Sequence, residues 1–241
     1  MKTKLVRQIG EIRKCKNILF VTSHPDDECM FFGPSIITLT KKPGANVYLL
    51  CLSRGDYRKT GRVRKEELYC SCKILGIPES NVQIVNSSLL PDNPMVNWNE
   101  EVVAQIILNF IEVYSIDTVI TFDKYGVSNH RNHTSVFYAV AYLCLEKQLP
   151  KDCTPYALES VSKLRKYVSY FDLPLSFLLS SIKYVVPMEM REVIRSAMRA
   201  HKSQYVWFRK AYMLFSRYVF INTLKEIDVL ELELELEKEN R

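Results

Sequence analysis

Asn17-Ile18-Leu19-Phe20-Val21-Thr22-Ser23-His24-Pro25-Asp26-Asp27-Glu28 joins an unbroken apolar run to an imidazole and three acidic side chains. The first six residues carry no charge and are mostly branched or aromatic, so they read as a strand buried on both faces, the kind that parallel sheets contain. The acidic cluster then stands at the carboxyl end of that strand, where open α/β sheets bind their ligands. Two adjacent carboxylates in one crevice repel each other unless a cation lies close by, so the cluster points to a metal. A plainer use of the same residues is helix capping, with Asp26 or Asp27 accepting from the first turn of a helix over residues 28–39. Capping accounts for one aspartate and leaves His24 unexplained.

If His24 and Asp27 are two ligands, a third is required, and only His130, His133 and His201 remain to supply an imidazole. Val119-Ile120-Thr121-Phe122 reads as a second buried strand. A loop over residues 123–129 follows, and then His130-Arg131-Asn132-His133 opens a helical run to about Lys147. Residues three apart share a helix face, so both rings can point to the end of a strand lying beside the first. Two imidazoles and a carboxylate with an open position suit catalytic zinc and equally non-haem iron. His201, in Ala200-His201-Lys202 of a later basic helix, reads as a surface or structural histidine.

Strand-like runs at Asn17–Thr22, Val47–Ser53, Val82–Val85 and Thr118–Phe122 alternate with helix-like segments at 29–41, 62–76, 99–114 and 131–148. This alternation predicts an α/β domain with a mostly parallel sheet flanked by helices. After Lys151 the pattern loosens: Tyr156–Val161 and Ile182–Val186 read as further strands, whereas Met188–Lys202 and Gln204–Leu224 read as a helical C-terminal part. One domain over residues 1–224 is the expectation at this length. Residues 225–241 hold seven acidic and three basic side chains, and their Glu/Leu alternation reads as an edge strand or an unfolded acidic tail.

Seven cysteines, an odd and scattered set, do not suggest a disulfide framework. Cys29, Cys51 and Cys144 lie in apolar runs as buried thiols, which favours a reducing compartment. Met1–Lys16 is basic and polar, unlike a signal peptide, and no run approaches the eighteen or so uncharged apolar residues of a spanning helix. Between Ser53 and Glu66, six cations (Arg54, Arg58, Lys59, Arg62, Arg64 and Lys65) oppose Asp56 alone, so an anionic substrate is expected at the same rim. Arg64 is the chosen contact, because guanidinium offers a planar fork for phosphate or sugar oxygens. Further on, Arg209, Lys210 and Arg217 interleave with large aromatics, a mixture that suits an anionic membrane surface or a helix packed on the core with its cations in water. Nucleic acid is disfavoured, since no reader motif accompanies the charge.

His24–Glu28, Leu50–Asp56, Gly61–Leu68 and Thr121–Asp123 with Gly126–His133 together resemble the PIG-L/LmbE-like metal-dependent de-N-acetylases. His201–Gln204, Trp207–Arg209 and Phe215–Tyr218 are similar to the carboxyl-terminal part of the eukaryotic, glycolipid-deacetylating members, so the resemblance covers roughly residues 16–224. It implies a single Rossmann-like (LmbE-like) domain that binds Zn2+, with Fe2+ as an alternative ion, through His24, Asp27 and His133. By the same resemblance Asp26 is the general base, His130 faces the developing oxyanion, and Asp123 orients His130. Arg64 is carried over as a substrate contact, as is Asp92 in Pro91-Asp92-Asn93-Pro94, for which a turn-stabilising role is an equal reading. The implied substrate is N-acetylglucosaminylphosphatidylinositol, the implied reaction is the second step of glycosylphosphatidylinositol-anchor synthesis, and the implied place is the cytoplasmic face of the endoplasmic reticulum. Eukaryotic members carry an amino-terminal membrane anchor there; with Met1–Lys16 unlike one, the expectation is peripheral contact with an anionic membrane or an anchor outside these residues. Three rivals stand beside this reading: a deacetylase of another N-acetylglucosamine conjugate, an oxidative iron enzyme, and a non-catalytic phosphoinositide-binding module.

Overall fold

The computed structural model describes residues 7–9, 12 and 15–239. Among the described residues one sheet contains eight strands: β1 (Arg7–Ile9), β2 (Asn17–Thr22), β3 (Asn46–Cys51), β4 (Val82–Ile84), β5 (Thr118–Phe122), β6 (Thr154–Leu158), β7 (Ile182–Val185) and β8 (Ile221–Glu226), in the order β1-β7-β8-β6-β5-β2-β3-β4. The β4-β3-β2-β5-β6 half is parallel throughout. β8 then pairs antiparallel with both β6 and β7, and β7 pairs antiparallel with β1.

The chain winds from β2 outward through β3 to β4, then crosses back to place β5 on the other side of β2. The winding direction therefore reverses between β2 and β5, which pair Ile18 with Thr118 and Phe20 with Ile120. Loops leaving two such strands diverge and open a crevice at their carboxyl ends. The loop after β2 begins at Ser23 and the loop after β5 at Asp123, so both sequence motifs flank that crevice.

Alternate residues of β2 feed two cores. Ile18 and Phe20 join the layer formed by α2 (Gly33–Thr40), α3 (Gly61–Leu75), α9 (Met188–Ala200) and α10 (Trp207–Phe215). Leu19 and Val21 join the layer of α4 (Glu100–Val113), α6 (Arg131–Leu145) and the residues around α11 (Val229–Glu239). Each such fully buried side chain contributes about 1.5–3 kcal/mol, so the run that predicted a two-faced strand anchors both layers.

The expected mostly parallel sheet with flanking helices is present, but the helical C-terminal part needs correction. Gln204–Leu224 is not one helix: α10 ends at Phe215, Arg217–Val219 forms a 3-10 turn, and Ile221 starts β8. Tyr218-Val219-Phe220-Ile221 is buried throughout, so its sequence lacks the one-sided pattern that separates helix from strand. Residues 229–239 form α11 instead of an edge strand or an unfolded tail, with Leu232 buried against the α6 layer. The expected boundary at residue 224 falls inside β8.

Candidate metal centre

The remaining α-helical segments are α1 (Asp27–Met30), the kinked one-turn segment α5 (Gly126–Asn129), α7 (Lys163–Tyr167) and α8 (Leu173–Leu179). Asp27 opens α1, and its Oδ2 accepts the backbone N–H groups of Ser23 at 3.0 Å and His24 at 2.8 Å. Those bonds fix the carboxylate with Oδ1 at 3.3 Å from Nε2 of His133 and Oδ2 at 3.8 Å from Nδ1 of His24. Burial opposes its charge, but His133 and His24 outweigh burial and hold the Asp27 carboxyl well below the usual carboxylate range.

Both imidazoles are oriented from behind. Nε2 of His24 lies 3.0 Å from Oδ1 of Asn132 and 3.1 Å from Oδ1 of Asp92. Two acceptors there place the ring proton on Nε2 and leave the Nδ1 lone pair toward Asp27. His133 faces the carbonyl of Gly126 with Nδ1 at 3.1 Å, which leaves its Nε2 lone pair toward the same carboxylate. Its ring also stacks on Phe122 at 4.0 Å with planes 3° apart. Imidazoles fixed through the far nitrogen in this way are the usual partners of a metal ion.

His130 completes the group. Its ring lies 4.9 Å from that of His24 and 4.6 Å from that of His133, and each of the three residues can offer one nitrogen within 4.8 Å of the other two. Burial, then His133 and His24, lowers the His130 pKa to about 4, so the ring is neutral near neutral pH. Its Nδ1 is buried without a hydrogen-bond partner, an arrangement that costs about 1–3 kcal/mol when nothing fills it. Three imidazoles beside an ionised carboxylate fit a divalent cation of intermediate softness.

Asp26 turns away from this group. Its φ of 107° is a left-handed conformation that a side chain rarely adopts, and a buried network holds it there. Its N–H donates to Oε2 of Glu28, whose Oε1 accepts from Ser71 at 2.5 Å and lies 2.7 Å from Nε2 of His201. His201 is therefore a fully buried structural residue, not a surface one. Oδ2 of Asp26 pairs with Arg209 at 2.8 Å and lies 3.6 Å from Arg64. Burial raises the Asp26 pKa, with the two guanidinium groups acting against it.

A cleft with about 230 Å3 of space opens beside Asp26, lined by Tyr57, Arg58, Asp92, His130, Phe208 and Arg209 among others. His130 is the only one of the three imidazoles in its wall. Seven of the eight residues singled out from sequence thus converge: His24, Asp26, Asp27, Arg64, Asp92, His130 and His133. Arg64 and Asp92 both line the cleft, and both also have partners within the protein. Arg64 is buried, donating to the carbonyls of Gly55 and Pro25 and lying 3.4 Å from Oδ2 of Asp92, so it braces the turn. Asp92 faces His24, besides accepting the N–H of Tyr57 at 3.2 Å. Asp123 stands apart: its carboxylate accepts from the backbone and hydroxyl of Ser160, both at 2.6 Å, and from Tyr125, rather than orienting His130. Asn132, Arg209, Glu28 and His201 were not assigned site roles from sequence. Asn132 lies inside the His130–His133 motif, and Arg209 inside the similar carboxyl-terminal block, which are the signals that could have marked them.

Comparison with known proteins identifies a family and a shared fold. Residues 19–144 match the family described as PIG-L, GlcNAc-PI de-N-acetylase. The N-acetylglucosaminyl-phosphatidylinositol de-N-acetylase of Bos taurus is 45% identical over 207 residues, covering 86% of this chain and 81% of its own. Among solved structures, the N,N'-diacetylchitobiose deacetylase of Pyrococcus horikoshii superposes with a TM-score of 0.66 at 15% identity, over 91% of this chain and 86% of that one. The zinc-inhibited form of teicoplanin deacetylase superposes with a TM-score of 0.57, also at 15% identity, over 88% and 99%. At that identity the two structures establish the shared fold.

Proposed function

The chain belongs to the PIG-L family of GlcNAc-PI de-N-acetylases, and from that membership we propose that it removes acetate from N-acetylglucosaminyl-phosphatidylinositol by metal-assisted amide hydrolysis. The observation that carries the reading is Asp26: a buried carboxylate in a left-handed turn, next in sequence to Asp27 and paired with Arg209, which lines the same cleft as His130. A non-catalytic binding module has no use for a buried carboxylate in a strained turn, adjacent in sequence to the carboxylate that faces two histidines.

His24, Asp27 and His133 would hold the ion, with zinc the first assignment and Fe2+ the alternative. When bound, such an ion supplies Lewis acidity and makes water a competent nucleophile near neutral pH. Asp26 takes the proton of the attacking water and returns one to the departing amine nitrogen, a role worth ~10²–10⁴ in rate. Arg209 fixes the orientation of Asp26 through Oδ2. His130, neutral and in the cleft wall, donates its ring N–H to the amide oxygen as charge develops there. Asp92 and Asn132 hold the His24 tautomer, and Gly126 holds that of His133. Arg64 positions Pro25 and Asp26, with Arg58 in the cleft wall as an exposed cation for the lipid phosphate. The reaction would be the second step of glycosylphosphatidylinositol-anchor synthesis, at the cytoplasmic face of the endoplasmic reticulum. Among the described residues no helix is long and apolar enough to cross a membrane.

The test is acetate release from the synthetic glycolipid by purified protein, stripped of metal and reloaded with Zn2+ or Fe2+, in air and under nitrogen. Metal-dependent release that continues without oxygen is expected, and Asp26→Asn should keep the metal while losing ~10²–10⁴ in turnover. Full turnover by that variant would remove Asp26 as the base, and faster reaction with another N-acetylglucosamine conjugate would replace the substrate.

A further inference from the structure

Helix α8 is amphipathic the wrong way round for a water-facing helix. Its inner side is polar: Asp172, just before the helix, and Ser176 are buried, and Asp172 pairs with Arg165 at 2.6 Å and with fully buried Arg217 at 3.0 Å. Ser176 donates to Asp172 and accepts from both arginines. Its outer side is apolar: Leu178 is 81% exposed and Leu179 60%, and Phe171, in the 3-10 turn just before the helix, is 90% exposed. Helix α10 continues this surface, because Tyr167 of α7 meets Tyr212 of α10 edge to face and Arg191 donates to the Leu214 carbonyl while reaching Tyr170. From α10, Trp207 is 79% exposed, with Leu214 and Phe215 each about half exposed. Apolar patches of this extent mark a surface with a partner.

The neighbours of the patch distinguish among partners. Phe208 and Arg209 of α10 line the cleft beside Asp26, and Tyr57 and Arg58 line it from the opposite side. Tyr57, Arg58, Lys59 and Lys210 are exposed, so the cleft mouth combines aromatic rings with cations. Formal net charge is +6. Large aromatics that enter the headgroup layer, flanked by cations that meet lipid phosphate, are the composition of a membrane-surface helix.

We propose that the outer faces of α8 and α10, with the adjoining cleft rim, dock on an anionic bilayer surface, Trp207, Phe171 and Leu178 entering the lipid and Arg58, Lys59 and Lys210 meeting headgroup phosphates. The cleft mouth then opens onto the bilayer, so a glycolipid presents its sugar to Asp26 while its acyl chains stay in the membrane. This deepens the glycolipid reading and rests on it for its biological sense. The docking itself is tested without that substrate.

The chain has two tryptophans; Trp98 is buried and Trp207 exposed, so a change in fluorescence on adding vesicles reports Trp207. Vesicles of phosphatidylcholine, with and without phosphatidylserine and free of glycolipid, are added to the full chain, and binding is measured by co-sedimentation. The expected result is a blue shift, quenching by brominated acyl chains, and binding that strengthens with phosphatidylserine. Trp207→Ser should weaken partitioning by about tenfold, Phe171→Ser with Leu178→Ser by more, and Lys59→Ala or Lys210→Ala by about fivefold each. Melting temperatures of these surface variants should match wild type, as should their rates on an acyl-free soluble analogue. No binding, or binding indifferent to these substitutions, overturns the proposal. A concentration-dependent dimer broken by Trp207→Ser, without vesicle binding, also overturns it and assigns the face to a second copy of the chain. Vesicle binding without deacetylation would leave the docking face standing and remove the catalytic reading.

Discussion

Substituting Gly126 with alanine tests whether the position of His133 depends on the kinked turn before it. Gly126 has φ +50°, and a Cβ added there would lie 2.7 Å from the His133 Cβ and 3.2 Å from the Thr134 nitrogen. Carbon pairs prefer about 3.5–4.0 Å, so His133 or the turn must move by about 1 Å. Metal–ligand distances tolerate about 0.2 Å, and the Gly126 carbonyl is also the acceptor facing His133 Nδ1. Gly44 supplies the control: φ is +75° there, and an added Cβ meets nothing within 4 Å. Both alanine variants should lose about 1–2 kcal/mol of stability from the left-handed backbone. Only Gly126→Ala should also lose metal affinity, by about 10–100-fold, as disturbed orienting contacts generally cause. The assay is Zn2+ titration against a competing chelator, with thermal melts of the metal-free proteins in parallel. If Gly126→Ala binds zinc as tightly as Gly44→Ala, the claim that this turn sets the His133 ring is wrong.

Asp92→Asn should lower metal affinity about tenfold or more by removing the carboxylate that faces His24; a raised KM with unchanged metal affinity would instead make Asp92 a sugar contact. Arg209→Gln should leave the metal content unchanged and lower kcat by about 10–100-fold, because the ion pair that orients Asp26 is lost and misplacing a reacting group by about 1 Å costs up to about a hundredfold, as measured by acetate release at saturating substrate. Asp172→Ala strands fully buried Arg217 and half-buried Arg165, so it should cost about 3–5 kcal/mol, seen as a melting temperature lower by about 10 °C; an unchanged melt would show that the network contributes little to stability.

The parallel half of the sheet was legible because its strands are buried on both faces and its helices on one. Asn17–Thr22 and Thr118–Phe122 have the boundaries expected from sequence. Of the two motifs at their ends, His24–Asp27 and His130–His133 were legible as chemistry, because imidazoles and paired acids are unusual next to such strands. The partners that orient them were harder to see. His201 lies 173 residues from Glu28 in sequence, and Arg209 similarly far from Asp26, so only the folded chain joins them. Asp123 misled for the opposite reason: it sits close to His130 in sequence, yet Ser160 on the adjoining loop satisfies its carboxylate. In the acidic segment the Glu/Leu alternation imitates a strand, but both residues are strong helix formers, and docking on α6 favours the helix.

β8 lies between β6 and β7, and β7 reaches the parallel half of the sheet only through it. During synthesis the strand that closes this gap therefore emerges last. A nascent chain halted at residue 220 would carry every proposed metal ligand, the base and Arg209, yet β6 and β7 would each expose an open edge, the kind of surface that recruits other unfinished chains. Premature stop codons that spare all the chemistry should therefore yield aggregates instead of weak enzymes.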